Sequence, residues 1–221
     1  MKQRLLNPGP ANTSDRVKQA QVIDDICPRE KEFGHIMYYV KDNLTYIGLN
    51  GRKNMNYDTV LFGSSGTGVC ESVISSLPSQ SKLLVIINGA YGERALKIAK
   101  RHNIDVTSMN FGSVLNYEAI ETELSLKCYD YVYVIHSETT SGALNDIERI
   151  GKYCKKSKSS LIVDAMSSFG AYEIDVEKHN VDFLIASSNK NLQGMAGIGF
   201  VICKVDELKK RLNRVSTKIL G

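Results

Sequence analysis

The sequence of 221 residues contains no tryptophan, only four prolines and no long apolar run. Because a membrane-spanning helix needs about 20 consecutive apolar residues, we expect no membrane partner. Lysine and arginine exceed aspartate and glutamate by 28 to 24, a small surplus. The densest basic group, at 152–158, is typical of the solvent-facing side of a helix. The sequence therefore gives no indication of a nucleic-acid partner.

Cysteine is also sparse, with five residues that are widely spaced and form no C-x-x-C motif. This pattern predicts neither a disulfide framework nor a zinc site, so no metal is expected. Reduced thiols of this kind are typical of a cytoplasmic protein. The first ten residues, MKQRLLNPGP, lack the apolar region of a secretory signal, which also favours a cytoplasmic location.

Short apolar segments alternate with amphipathic ones along most of the chain. Strands are predicted over 82–88, 105–111, 129–138, 160–168, 181–188 and 197–204. Helices are predicted over 13–21, 66–77, 92–103, 116–127 and 146–158. The remainder of the first sixty residues is less regular. Strands that alternate with helices predict an α/β fold of three α/β/α layers around a mostly parallel sheet.

In such a sheet, ligands bind beyond the carboxyl ends of the strands. The segment GSSGTG, 63–68, lies before a predicted helix, whose N-terminal amides and dipole would bind an anion. The hydroxyls of Ser65 and Thr67 add donors. Because no Gly-Lys-Ser/Thr follows and G-x-G-x-x-G is incomplete, a single phosphate monoester fits better than a nucleotide. An ordinary strand-to-helix connector would have the same composition.

Two charged residues lie at the ends of predicted strands. Asp164 directly follows Leu-Ile-Val, where a carboxylate is costly unless it meets a cation or good donors. It either holds a protonated ring nitrogen or caps the next turn. Lys190 lies 26 residues later, after the next strand. Partial burial there would favour a neutral, nucleophilic amine, whereas an isolated lysine would more simply be a surface residue.

Tyr91 and Thr139 also follow strands, and they could offer a flat aromatic face and a hydroxyl group. Packing and turn formation are the ordinary explanations for these two residues. His136 has no serine or cysteine at a convincing spacing, so we interpret it as structural. Together, a phosphate loop, a flat face, a carboxylate for a ring nitrogen and an amine for an aldehyde meet the needs of pyridoxal 5′-phosphate.

Seven segments resemble those of a known family. They are LLNPGP (5–10), REKEF (29–33), GSSGTG (63–68), NGAYGERA (88–95), HSETTSGALND (136–146), VDAMSSFG (163–170) and SSNKNLQGMAGIGF (187–200). In this order they resemble the class V branch of the fold-type I pyridoxal-phosphate aminotransferases. The contexts DAMSSFG and NGAYGER narrow the resemblance to the phosphonate branch and its alanine–glyoxylate neighbours.

The resemblance implies a role for each candidate residue. Lys190 would bind the cofactor covalently and carry the substrate proton, and Asp164 would keep the ring nitrogen protonated. Tyr91 would stack on the ring, and Thr139 would bond near its phenolic oxygen. Gly9 would line the substrate pocket. The cofactor phosphate would be held by Ser65, Gly66, Thr67 and Asn189.

The resemblance also implies a reaction and an assembly. A homodimer would transfer the amino group of 2-aminoethylphosphonate to pyruvate, giving phosphonoacetaldehyde and alanine. Alanine–glyoxylate or serine–glyoxylate transamination, and a non-catalytic remnant that keeps the fold, remain open as alternatives. Cysteine desulfurases are disfavoured, because they have a histidine before the lysine, where Asn189 stands here.

The implied domain organisation has two parts. Residues 1–50 would form an N-terminal segment that contributes to the pocket, and residues 51–221 would form the cofactor-binding large domain. Family members continue into a smaller α/β domain with an arginine that binds the substrate carboxylate. We expect this chain to lack that domain.

Overall fold

The computed structural model describes residues 4–7 and 9–210, in which six helices and nine strands have both ends defined. The helices are α1 (Asp15–Gln19), α2 (Lys31–Gly48), α3 (Gly66–Ser75), α4 (Ala90–Arg101), α5 (Tyr117–Leu126) and α6 (Ile147–Ser157). The strands are β1 (Tyr57–Phe62), β2 (Lys82–Ile87), β3 (Asp105–Asn110), β4 (Tyr131–Ile135), β5 (Ser137–Glu138), β6 (Ala143–Leu144), β7 (Ser160–Asp164), β8 (Phe183–Ser187) and β9 (Gly199–Lys204).

Seven of these strands form one sheet in the order β1-β9-β8-β7-β4-β2-β3. Strand β9 pairs antiparallel with β1 and with β8, and the other neighbours pair in parallel. Six strands therefore run in one direction, and their carboxyl ends meet at one edge of the sheet. The predicted mostly parallel sheet is confirmed.

Helices cover both faces of this sheet, because successive strand residues point to opposite sides. Val85 and Ile87 belong to the apolar cluster under α3 and α4. Leu84 and Ile86, which alternate with these residues along β2, belong to the cluster under α2, α5 and α6. The predicted three-layer α/β/α organisation is confirmed.

The structure differs from the predicted elements mainly in the first sixty residues, where α2 and β1 were not predicted. Strand β7 ends at Asp164 rather than at 168, because the amides of Ser168 and Phe169 turn back to the Ala165 carbonyl. The predicted strand 129–138 also divides, and its end pairs in the small ribbon β5–β6. Residues 211–221 of the predicted large domain lie outside the described residues.

The described residues contain neither a helix suited to span a membrane nor a cluster suited to bind a metal ion. Among the helices of residues 4–7 and 9–210, none has both the length and the apolar character required to cross a bilayer. The same residues contain no group of three histidine, cysteine, aspartate or glutamate side chains arranged to hold a metal ion.

Candidate active site

A cavity of about 170 Å³ lies at the carboxyl edge of the sheet. Loops after β1, β2, β4, β7 and β8 contribute to it, as expected for parallel strands that end together. Seven of its lining residues were predicted from the sequence: Ser65, Gly66, Thr67, Tyr91, Asp164, Asn189 and Lys190. The topology thus brings together residues that are up to 125 positions apart in the chain.

The first turn of α3 forms one wall of the cavity. The Ser65 hydroxyl caps this helix by accepting the Gly68 amide at 3.2 Å. The amides of Gly66 and Thr67 donate to no group among the described residues. A Cβ on Gly66 would lie 2.7 Å from the Met166 sulfur, so a side chain there would have to displace the end of Met166. Two unpaired amides at a helix N-terminus fit a phosphate group.

Asp164 ends β7 as a buried carboxylate with neutral donors only. Its Oδ1 accepts the Met166 amide at 3.0 Å, and its Oδ2 accepts the Tyr133 hydroxyl at 3.2 Å and the Cys70 thiol at 3.4 Å. Burial raises its pKa, and the charge of Glu138 adds to this effect. Because Asp164 has no ion pair among the described residues, a protonated ring nitrogen would supply the cation that this site lacks.

Lys190 lies in the turn after β8 and contacts the N-terminal segment. A Cβ on Gly9 would lie 2.2 Å from Lys190 Cδ, at a backbone φ of +148° that favours glycine. The Ala11 amide donates to the Asn189 carbonyl at 2.9 Å, which holds the segment against the turn. Within the described residues, the Lys190 ammonium group has no hydrogen-bond or ion-pair partner.

Tyr91 and Arg94 lie on the first turns of α4 and face the α3 loop. The guanidinium carbon of Arg94 is 4.9 Å from the centre of the Tyr91 ring, and Arg94 Nη1 donates to the Thr67 hydroxyl at 3.2 Å. The aromatic ring, the cation and the unpaired amides therefore lie around one space. Arg94 was not predicted from the sequence as a site residue.

Thr139 and His136 do not line the cavity. The ring Nδ1 of His136 is 2.9 Å from the Ser168 hydroxyl, and burial lowers the pKa of His136 to about 4. The imidazole is therefore neutral near pH 7.

The neighbours of Asp164 were missed by sequence reasoning. Cys70 and Tyr133 lie 94 and 31 positions away from it in the chain, so no local pattern links them. Tyr133 did carry a signal, because a buried tyrosine hydroxyl in the middle of an apolar strand requires a partner. That partner is the Asp164 carboxylate.

The fold is that of the fold-type I pyridoxal-phosphate aminotransferases, and a helix terminus, a buried carboxylate and a lysine meet at one edge of its mostly parallel sheet. A sequence profile described as "Aminotransferase class-V" matches residues 18–217. The chain belongs to the class-V aminotransferase family, whose members are pyridoxal-phosphate dependent.

Two proteins with named activities are similar to this chain in sequence. The chain is 40% identical over 210 residues to a 2-aminoethylphosphonate–pyruvate transaminase of Bacillus cereus, covering 93% of this chain and 60% of that protein. It is equally similar to a bifunctional phosphonoacetaldehyde hydrolase/aminoethylphosphonate transaminase of Clostridioides difficile (strain 630), with 93% and 32% coverage. The chain thus spans about 60% and about a third of the lengths of these relatives.

Solved structures agree on the fold. The alanine–glyoxylate aminotransferase from Nostoc sp. superposes with a TM-score of 0.87 at 24% identity, covering 96% of this chain and 56% of that one. The ureidoglycine–glyoxylate aminotransferase from Bacillus subtilis gives 0.86 at 22% identity, with 97% and 56% coverage. These likenesses concern the fold alone.

Proposed function

We propose that this protein is a pyridoxal-phosphate-dependent aminotransferase that transfers the amino group of 2-aminoethylphosphonate to pyruvate. The observation that carries the proposal is that Lys190, Asp164 and the unpaired amides of Gly66 and Thr67 line one cavity. The choice of donor and acceptor is supported by 40% identity to the B. cereus transaminase.

Different residues of the cavity would bind different parts of pyridoxal 5′-phosphate. When bound, the cofactor supplies an aldehyde carbon that takes the amino group and a ring that withdraws electrons from the substrate. The Gly66 and Thr67 amides and the Ser65 hydroxyl bind the phosphate at the α3 terminus. Asp164 would accept the ring N–H, and because Asp164 is buried, this charge pair would be stronger than the same pair in water. Tyr91 covers one face of the ring.

Lys190 performs the chemical work of the chain. Its amino group would be the nucleophile toward the aldehyde carbon. With the cofactor and substrate bound, Nζ would be the group that takes and returns the proton of the substrate carbon that bears the nitrogen. Gly9 supports this role, because the segment packs against the lysine stem and fixes its direction. We therefore propose that the N-terminal segment around Gly9 contributes to the pocket through its contact with Lys190.

A reconstitution experiment tests the proposal. Protein mixed with pyridoxal 5′-phosphate should develop an absorption band near 400 nm, a value on the order of that expected for a lysine-bound cofactor. Borohydride should then fix the cofactor on the peptide that contains Lys190. The matched control is Lys190→Ala, which keeps the phosphate loop and should bind the cofactor reversibly without fixation. A wild-type protein that develops no band would overturn the proposal.

A turnover assay separates the possible substrates. With 2-aminoethylphosphonate and pyruvate, the expected product is alanine, formed together with phosphonoacetaldehyde. Faster turnover with glyoxylate as acceptor would instead favour alanine–glyoxylate or serine–glyoxylate transamination. A bound cofactor without any amino transfer would favour a non-catalytic remnant.

We also propose a homodimer in the cytoplasm. Support for the dimer comes from α2, on which Tyr39 and Tyr46, seven residues apart, share one face and expose 71% and 46% of their surface. Ile36 on the same face is 44% exposed. A second copy would cover such an apolar patch. The five cysteines form no disulfide among the described residues and three of them are buried, which supports a reducing compartment.

A further inference from the structure

Helix α4 is capped by side chains from a distant part of the chain. The Ala90 amide donates to the Thr140 hydroxyl at 2.8 Å. The amides of Tyr91 and Gly92 both donate to Glu138 Oε2, at 3.1 and 3.3 Å. Because the first amides of a helix have no partner within the helix, these three bonds complete the terminus. The cap thus ties α4 to the segment that follows β4.

Glu138 is fully buried, and among the described residues it forms no ion pair. Its second oxygen, Oε1, accepts the Thr140 amide at 3.2 Å and the Thr140 hydroxyl at 2.5 Å. Four donors and the positive end of the helix dipole therefore stabilise the charge. A Cβ on Gly89 would lie 2.3 Å from Glu138 Cγ, so only glycine leaves room for this carboxylate.

The turn held by this carboxylate carries part of the candidate site. Tyr91 lines the cavity, and Arg94, one turn later, lies over its ring and reaches Thr67. We propose that Glu138 is a positioning residue that fixes the Tyr91 ring at the angle at which it covers the cofactor. This inference rests on the proposed function, since it assigns a role toward the same cofactor.

The same carboxylate determines which helix terminus takes the phosphate. Of the helices that begin at the carboxyl edge of the sheet, α3 and α4 contribute residues to the cavity, and either terminus would attract an anion. At α4 the amides are already bonded to Glu138, whose charge also repels a second anion. At α3 the amides of Gly66 and Thr67 are unpaired among the described residues. The phosphate is thereby directed to α3, which leaves the ring beside Tyr91.

The first arm of the test needs no cofactor. Glu138→Gln keeps the size of the side chain but replaces one acceptor oxygen by an NH₂ group that cannot accept the Thr140 donors. Hydrogen exchange of the peptide 88–94 should become at least about tenfold faster, as expected for a weakened buried bond. The milder Thr140→Val, at an exposed position, removes one hydroxyl and should change the exchange in the same direction. It also serves if Glu138→Gln does not fold.

The second arm measures the cofactor. In Glu138→Gln, or in Thr140→Val if the former is unfolded, the dissociation constant for pyridoxal 5′-phosphate should rise about tenfold. The visible circular dichroism of the saturated protein should also change, because it reports the orientation of the ring. Asp182→Asn is the matched control, since this carboxylate likewise accepts a backbone amide, that of Leu161 at 2.9 Å. It lies away from the cavity and should leave both readouts unchanged.

A double-variant cycle tests the route through Tyr91. If Glu138 acts on the cofactor by positioning the ring, Glu138→Gln should add little to the loss of affinity in Tyr91→Leu. Fully multiplicative effects would overturn the route through Tyr91. Unchanged exchange, affinity and dichroism in the Glu138 variant would overturn the positioning role itself. A wild-type protein that binds no cofactor would instead reject the proposed function, while the exchange arm still decides whether Glu138 holds α4.

Discussion

The two edges of the sheet treat buried carboxylates differently. At the amino edge, Asp175 is buried and receives Arg52 Nη2 at 2.8 and 2.7 Å on its two oxygens. At the carboxyl edge, Asp164 and Glu138 are equally buried, yet within the described residues neither has an ion pair. Backbone amides, hydroxyls and a thiol are their only donors. The scaffold carboxylate Asp175 is thus neutralised by an arginine, whereas the two carboxylates near the cavity have no cation beside them in the described part of the chain.

The largest effect is expected from a substitution that removes the charge of Asp164. Asp164→Asn should weaken pyridoxal 5′-phosphate binding about a hundredfold, because a protonated ring nitrogen loses its buried counter-charge, worth about 3 kcal/mol. The melting temperature of the cofactor-free protein should not fall, since the asparagine oxygen still accepts the Met166 amide. Absorbance titration and thermal melting measure the two quantities.

Asp175→Asn provides the matched variant at the other edge. It removes a buried carboxylate from its pair with Arg52, so the melting temperature should fall while the affinity for the cofactor stays the same. If the two variants changed affinity and stability alike, the difference between the edges would have no functional meaning.

Much of the fold beyond Lys82 could be predicted from the sequence, because its strands are short and apolar and are separated by clear helices. Lys190 and Asp164 were identifiable as charged residues at strand ends. Helix α2 was missed because Tyr39 and Tyr46 lie on its outer face, opposite Leu44, which blurs the 3.6-residue period. Glu138 was missed because its partners in α4 lie far away along the chain, and no local pattern encodes such a cap.

The next effect concerns the scaffold alone. An ideal Cβ on Gly151, within α6, would lie 1.8 Å from the carbonyl oxygen of His179, in the loop before β8. Gly151→Ala should therefore lower the free energy of unfolding by about 2–3 kcal/mol, as expected for overpacking. Urea denaturation of the cofactor-free protein measures this quantity.

Gly34→Ala is the control for that substitution. Gly34 also lies within a helix, α2, but a Cβ there would meet no atom within 4 Å. The alanine should leave stability unchanged or raise it by about 0.5–1 kcal/mol, because glycine is unfavourable in a helix. A loss of cofactor affinity in folded Gly151→Ala would show that the edges are coupled, contrary to the comparison.

The smallest effect concerns Asp182, a partly buried carboxylate outside the candidate active site, and it tests whether such a charge affects stability only. Burial raises the pKa of Asp182 to about 6, compared with 3.8 ordinarily. The folded state therefore binds this proton more tightly than the unfolded chain, and wild-type stability from this group falls as the pH rises from about 4 to about 6. An asparagine at position 182 stays neutral, so the variant does not lose stability in this way as the pH rises.

Asp182→Asn should therefore gain stability relative to wild type on going from pH 4 to pH 7. The expected gain is on the order of 1–2 kcal/mol, less than the pKa difference alone implies, because the side chain is only half-buried. The neutral His136, whose pKa is lowered to about 4 by burial, changes stability in the opposite direction over this range. It does so in both proteins, so its contribution cancels in the difference between their denaturation curves. A difference that is constant with pH would mean that the Asp182 carboxylate is solvated as in the unfolded chain. Asp164 would then be distinguished from it by burial, and not by the cavity.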